Sequence, residues 1–211
     1  MRRFAFWPGL RRFARDRRGV TAVEFALISV PLMLFMFGLI ELCLILLVTA
    51  TLDTATDFAA RNIRTGVFQK SAASGGNQGE KEITRAMFAG LVCRNMNWLR
   101  SMCEGDPNPD GDQPPKRRLY VETETFSTFA RAASPTAHTQ QDFENGNLCW
   151  SAGHPGDIVL VRTYFQWPIV TPLLQPIFGD NGGGERRLMT SRLFRNEPYD
   201  ASLQAVGDRC Q

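Results

Sequence analysis

Residues 19–48 read GVTAVEFALISVPLMLFMFGLIELCLILLV, and from Phe25 to Val48 Glu41 is the only charge in 24 residues. As a helix that run is about 36 Å long, enough to cross a hydrocarbon core of about 30 Å with some tilt. It predicts one membrane span. The mean hydropathy of the whole chain is slightly negative, which excludes a polytopic membrane protein. At 211 residues, with 44% apolar and 21% charged residues, the rest of the chain is neither disordered nor too small for a core.

The flanks of the run set its topology. Residues 1–18 hold seven arginines (Arg2, Arg3, Arg11, Arg12, Arg15, Arg17, Arg18) against Asp16, while the remainder carries more acids than bases. Positive charge on the amino-terminal side places that end in the cytoplasm and the bulk of the chain outside. Four cysteines, Cys93, Cys103, Cys149 and Cys210, then fall on the outer side, and Cys43 lies inside the span. An even number in an oxidising compartment favours two disulfides. Of the three possible connectivities, the preferred pairing is Cys93 with Cys103, closing a short loop, and Cys149 with Cys210, anchoring the carboxyl terminus. A zinc site is the rival, but there is no CxxC, and His138 and His154 stand apart in sequence.

The helical pattern continues beyond the apolar run. Leu52, Ala55, Ala59 and Ile63 recur at spacings of three and four, with Asp53, Asp57, Arg61 and Arg64 on the other side, so one helix is predicted from about Thr21 to Arg64, stopped at Gly66. Residues 71–79 (SAASGGNQG) read as a connection. A second helix is predicted from Glu80 to about Leu99, ended by the loop GDPNPDGDQPP at 105–115. Period-two alternation in Asp157–Trp167, with further strands at Leu119–Phe129 and Arg187–Arg195 after the NGGG turn at 181–184, predicts an antiparallel sheet with one face covered by helix. The fold class is α+β: a basic leader 1–19, a transmembrane helix 20–48, its extracytoplasmic continuation 49–65, and an extracytoplasmic domain 66–211.

The segment Arg17-Arg18-Gly19-Val20-Thr21-Ala22-Val23-Glu24-Phe25-Ala26-Leu27 resembles the prepilin class, and specifically the TadE-like minor pseudopilins of the tight-adherence (Tad, Flp-pilus) system. A basic leader ends in Gly, an acid stands five residues on with an aromatic after it, and an unbroken apolar helix follows. The resemblance covers about residues 15–64; beyond it, Phe194-Arg195-Asn196-Glu197-Pro198-Tyr199 is similar to a carboxyl-terminal segment of such proteins. It implies a non-enzymatic pilus assembly component of the inner membrane, cut by the prepilin peptidase after Gly19 to leave Val20 as the new terminus. It also implies other pilins as partners, with Glu24 pairing with a neighbour's Val20 amine and Phe25 beside it in the assembly contact. No cofactor, nucleic acid or small-molecule substrate is implied.

Other readings stand beside these. Thr21-Ala22-Val23-Glu24 also fits a capping box with Thr21 as N-cap, and Val48-Thr49-Ala50 could end a secretory signal, though 24 residues far exceed its usual apolar core. Glu41 reads either as a contact with a neighbouring transmembrane helix or as an acid near the outer headgroups. Pro31 predicts a local kink or loosening of the helix. The chain could instead be an uncleaved anchor with a ligand- or surface-binding outer domain, or a tethered enzyme. There is no GxSxG, Walker loop or HExxH, and Asp106, Asp110 and Asp112 depart from an EF-hand spacing, so the 105–115 stretch reads as solvated loop.

Overall fold

The structure, a computed structural model, describes residues 19–73, 80–104, 118–134, 137–144, 146–180 and 184–199. The basic leader, the 105–115 loop with its three aspartates, most of the glycine-rich connections and Cys210 lie outside the described residues. The chain divides into two compact units, residues 1–43 and 44–211.

Helix α1 runs from Val20 to Arg64 without a break at Pro31, about 68 Å at 1.5 Å per residue. In the first unit its apolar side chains face outward; Phe25, Leu27, Val30 and Phe35 are all more than half exposed. Glu41 differs, being buried. Among the described residues α1 is the one helix long and apolar enough to cross a membrane.

In the second unit α1 becomes a one-sided helix. Ile45, Val48, Leu52, Ala55, Ala59 and Ile63 are buried; the last four are the stripe read from the sequence, and Ile45 and Val48 extend it into the segment predicted to span the membrane. The hydroxyls of Thr49 and Thr54 donate to the carbonyls of Ile45 and Ala50, one turn back, which satisfies them without disturbing the helix. The chain turns at Gly66, whose φ of 76° is costly for any residue with a Cβ, and enters α2 (Val67–Ala73). Part of the segment expected to be a connection is therefore helical.

Helix α3 spans Glu80–Asn95, shorter than the expected reach to Leu99. Asn97 adopts a φ of 44°, a left-handed conformation that Asn tolerates and helices do not continue through. A 3-10 turn at Asn97–Leu99 and a short α4 (Arg100–Glu104) follow. The Cys93–Cys103 disulfide, with Cα atoms 5.6 Å apart, ties α3 to α4.

Three strands, β1 (Leu119–Phe126), β2 (Ile158–Pro168) and β3 (Glu185–Arg195), form an antiparallel sheet in that order. Leu119 opposes Phe165 and Phe126 opposes Ile158; on the other edge of β2, Ile158 opposes Arg195 and Pro168 opposes Glu185. β1 ends three residues before the expected Phe129, because Thr128 accepts a bond from the Arg131 amide and caps α5 (Phe129–Ala132). One sheet face joins the buried stripe of α1 and Phe88, Val92 and Trp150 in a single core. Trp150 is fully buried and its ring meets Phe88, which in turn meets Phe68, at 5.5 and 5.9 Å.

The second sheet face is covered too, where the sequence predicted one. The excursion between β1 and β2, with α5 and α6 (Gln140–Glu144), sets Phe143 and Leu148 against Tyr120 and Tyr164. This burial on both sides is why β2 is buried from Ile158 to Trp167, although its alternation reads as a half-exposed strand.

Candidate functional site

Gly19 is the first described residue, and α1 begins at Val20. Thr21 thus lies inside the helix, not at the N-cap that the capping-box reading requires. Nothing lies within 4 Å of where a Cβ on Gly19 would be. The fold has no steric need for glycine there, unlike at Gly66, where a Cβ would come 2.6 Å from the Tyr199 ring. Glu24 is exposed on the first turns of α1, and Phe25 beside it is 74% exposed. A carboxylate and an aromatic ring on an otherwise apolar helix can serve an ionic and an apolar contact with another helix.

The far end of α1 is clamped. The Glu197 amide donates to the Arg64 carbonyl at 3.0 Å, and the two side chains pair at 3.2 Å. Asn196 is buried and donates through Nδ2 to the carbonyls of Ala152 and His154, and the Tyr199 hydroxyl donates to the Gly153 carbonyl. Burial pushes the Tyr199 phenol up to about 12. The segment Phe194–Tyr199 thereby fastens the end of the sheet to the end of the helix. Midway, Arg192 bonds Asp53 at 2.6 Å and Asp57 at 3.1 Å, and the Thr190 hydroxyl donates to Asp53 at 2.6 Å. These bonds hold the Asp53 carboxyl below its usual range. The sequence places both aspartates on the polar side of α1; the structure gives them a partner on β3.

A second cluster was not found by sequence reasoning. On the outer sheet face Arg162 bonds Glu124 at 2.6 Å and lies 3.0 Å from Glu122, while the Tyr164 hydroxyl donates to Glu122 at 3.2 Å. His138, from the β1–β2 excursion, bonds Glu122 through Nε2 and has Nδ1 4.0 Å from Asp142. His138 is therefore not isolated, as its sequence position suggested. Burial raises the Glu124 carboxyl above the usual carboxylate range against the opposing pull of Arg162. Burial and the neighbouring Glu122 raise the Tyr164 phenol, whereas bonds from the Thr139 hydroxyl and amide lower Asp142. Ligand atoms of Glu122, Glu124 and His138 lie within 4.8 Å of one another, close enough to hold a metal ion. Arg162 already supplies both carboxylates with positive charge, so a cation there would compete with a guanidinium in place. As an organising device the cluster latches the excursion onto the sheet. Its signal was the strand pattern itself: Glu122 and Glu124 sit two apart on β1, opposite Arg162 and Leu160 on β2.

Of the expected disulfides, Cys93–Cys103 is present. Cys149 is also disulfide-bonded, and its partner lies outside the described residues. Among the described residues Cys43 is free.

These features define a class: a protein with one apolar amino-terminal helix, of a length that fits a single-pass membrane protein, whose second part is built into a disulfide-bearing α+β domain. Residues 19–61 match the family model described as TadE-like protein, and over that stretch the chain is similar to the TadE-like proteins of Tad pilus systems. The matched stretch is α1 nearly end to end, about a fifth of the chain, and the sheet lies beyond it. No match was found among curated proteins or among solved structures.

Proposed function

We propose that this chain is a minor pseudopilin or assembly component of a Tad-type (type IVb, Flp) pilus or secretion apparatus. In this reading it crosses the bacterial inner membrane once with residues 20–48, amino terminus in the cytoplasm. Residues 49–65 continue the helix outside, and residues 66–211 form the extracytoplasmic domain. Prepilin peptidase cleaves after Gly19. Glu24 then pairs with the Val20 amine of an adjacent pilin, which offsets the cost of placing either charge at the edge of the apolar layer. The size of the outer domain supports a minor role, since a filament subunit needs little beyond the helix. The protein acts by contact rather than by catalysis.

One observation carries the reading: the family match and the long helix start together at Gly19 and Val20, at a glycine that the fold does not itself require. A glycine that no neighbour in the folded chain requires leaves room for an outside requirement, and a peptidase that binds extended backbone favours a residue with no Cβ.

Mass spectrometry of the protein extracted from membranes of a cell that makes the peptidase tests this directly. The expected species begins at Val20, and Glu24→Ala is expected to insert normally but to be lost from pilus fractions. An intact Met1 in every molecule would overturn the processing and favour an uncleaved anchor. Normal pili from Glu24→Ala would remove the pairing role.

A further inference from the structure

The connection from β2 to β3 carries an exposed apolar turn. Residues 168–179 read PIVTPLLQPIFG, without a single charge. Val170, Leu173 and Ile177 are 65%, 62% and 72% exposed. The turn is firmly held: Ile169 and Leu174 are buried in the core. The Ile169 amide donates to Gly184 at 2.9 Å, Leu174 to Thr171 at 3.0 Å and Gly179 to Gln175 at 2.8 Å. Three large apolar side chains are thus presented on rigid support, the arrangement that marks an interaction surface.

Its place in the outer unit identifies what it meets. Thr190 bonds Asp53, and Glu197, two residues past the end of β3, bonds Arg64, so β3 and α1 run in the same direction. Glu185, where β3 begins, is five residues before Thr190. At about 3.3 Å per strand residue that is about 16 Å, more than the roughly 14 Å that α1 rises from Leu44 to Asp53, so β3 begins at the end of this unit formed by the last apolar turns of α1, Leu44 to Val48. Leu46 and Leu47 of those turns are themselves about half exposed or more. The apolar turn and the end of the predicted span therefore share one end of this unit.

We propose that the Val170–Ile177 turn is immersed in the outer boundary of the bilayer that α1 crosses, a second lipid contact for the outer unit. Side chains at such a depth lie about 5–10 Å into the headgroup and acyl boundary. Arg186, whose guanidinium donates to the Phe178 carbonyl at 3.4 Å, sets a cation at the base of the turn, the sign that suits lipid phosphate. The proposal rests on the reading of α1 as a membrane span, and the test keeps the two separable.

Nitroxide labels are attached to Leu173→Cys, Ile177→Cys, Phe129→Cys and Phe35→Cys, each in the full chain with Cys43→Ala and its disulfides intact. The protein is reconstituted into vesicles of phosphatidylcholine and phosphatidylglycerol. Collision with oxygen, which concentrates in lipid, is compared with collision with a water-soluble nickel chelate. The expected oxygen-to-nickel ratio at 173 and 177 is several-fold above that at 129 and approaches that at 35. A ratio at 173 and 177 equal to that at 129, with 35 still lipid-exposed, overturns the proposal and leaves the span standing. Shielding of 173 and 177 from both reagents shows a protein partner there and overturns it as well. Nickel access at 35 overturns both.

Discussion

The two parts of α1 share one backbone geometry and differ in everything else. From Phe25 to Ile40 every face is apolar and most side chains are exposed; from Leu44 to Arg64 a buried stripe alternates with Asp53, Asp57, Arg61 and Arg64. A helix apolar all round suits lipid or a bundle of like helices, and a striped one suits a single packed neighbour. Aromatic and β-branched residues such as Phe25, Ile28, Val30 and Phe35 are mediocre helix formers in water. In lipid they hold a helix, since the backbone has no other way to satisfy its hydrogen bonds. The lesson is that one unbroken helix contains two solvents' worth of design, and the boundary is where polar residues begin to recur.

The sharpest way to break that contrast is to truncate a leucine on each side. Leu52 is fully buried and Leu27 is 71% exposed. Leu52→Ala is expected to lower the unfolding stability of the outer unit by about 2–5 kcal/mol. Leu27→Ala is expected to leave it within about 0.5 kcal/mol. Denaturant unfolding of the reconstituted full chain, followed by tryptophan fluorescence, to which the buried Trp150 and Trp167 contribute, reads both. Equal losses would mean that the front of α1 is a packed element of the same fold.

The two ends of the helix give a second, smaller contrast. Gly66→Ala must adopt a positive φ and meet the Tyr199 ring, a combination expected to cost more than about 1 kcal/mol. Gly19→Ala meets nothing within the chain and is expected to leave folding unchanged, so any defect it shows will be in processing. A fall in melting temperature for Gly19→Ala and none for Gly66→Ala would reverse the assignment of the two glycines.

Much of this was legible because its signal is periodic. The span, the stripe Leu52-Ala55-Ala59-Ile63 and the three strands each follow from a repeat in the sequence, and the structure moves their ends by a few residues. What was not legible depends on the chain returning to itself. Nothing local says that Asp53 meets Arg192, 139 residues away, or that His138 swings onto Glu122. The second cover over β2 was hidden because Phe143 and Leu148 lie in a stretch with no period of its own. Asn97 ended α3 early through a left-handed turn that helix propensity alone does not announce.

The smallest expected effect concerns the bonds that hold the striped part of α1 to β3, and it is read against pH. Arg192 and Thr190 hold the Asp53 carboxyl below its ordinary value of 3.8, so their contribution is present above that pH and is lost as pH falls through the lower folded value. Glu124 acts in the opposite sense: its folded carboxyl titrates above 4.5, so its contribution is full below 4.5 and declines as pH rises through the raised folded value. An acid titration thus removes the Asp53 bonds while relieving Glu124, and the two must be separated by substitution. Asp53 is about half exposed and Arg192 partly so, which limits the pair to about 0.2–1 kcal/mol. Asp53→Asn is expected to flatten the acid limb of stability below pH 3.8 and leave the limb above 4.5 unchanged, as measured by unfolding at a series of pH values. An acid limb as steep as that of the unsubstituted protein would show that the Asp53 bonds contribute nothing to holding the helix to the sheet.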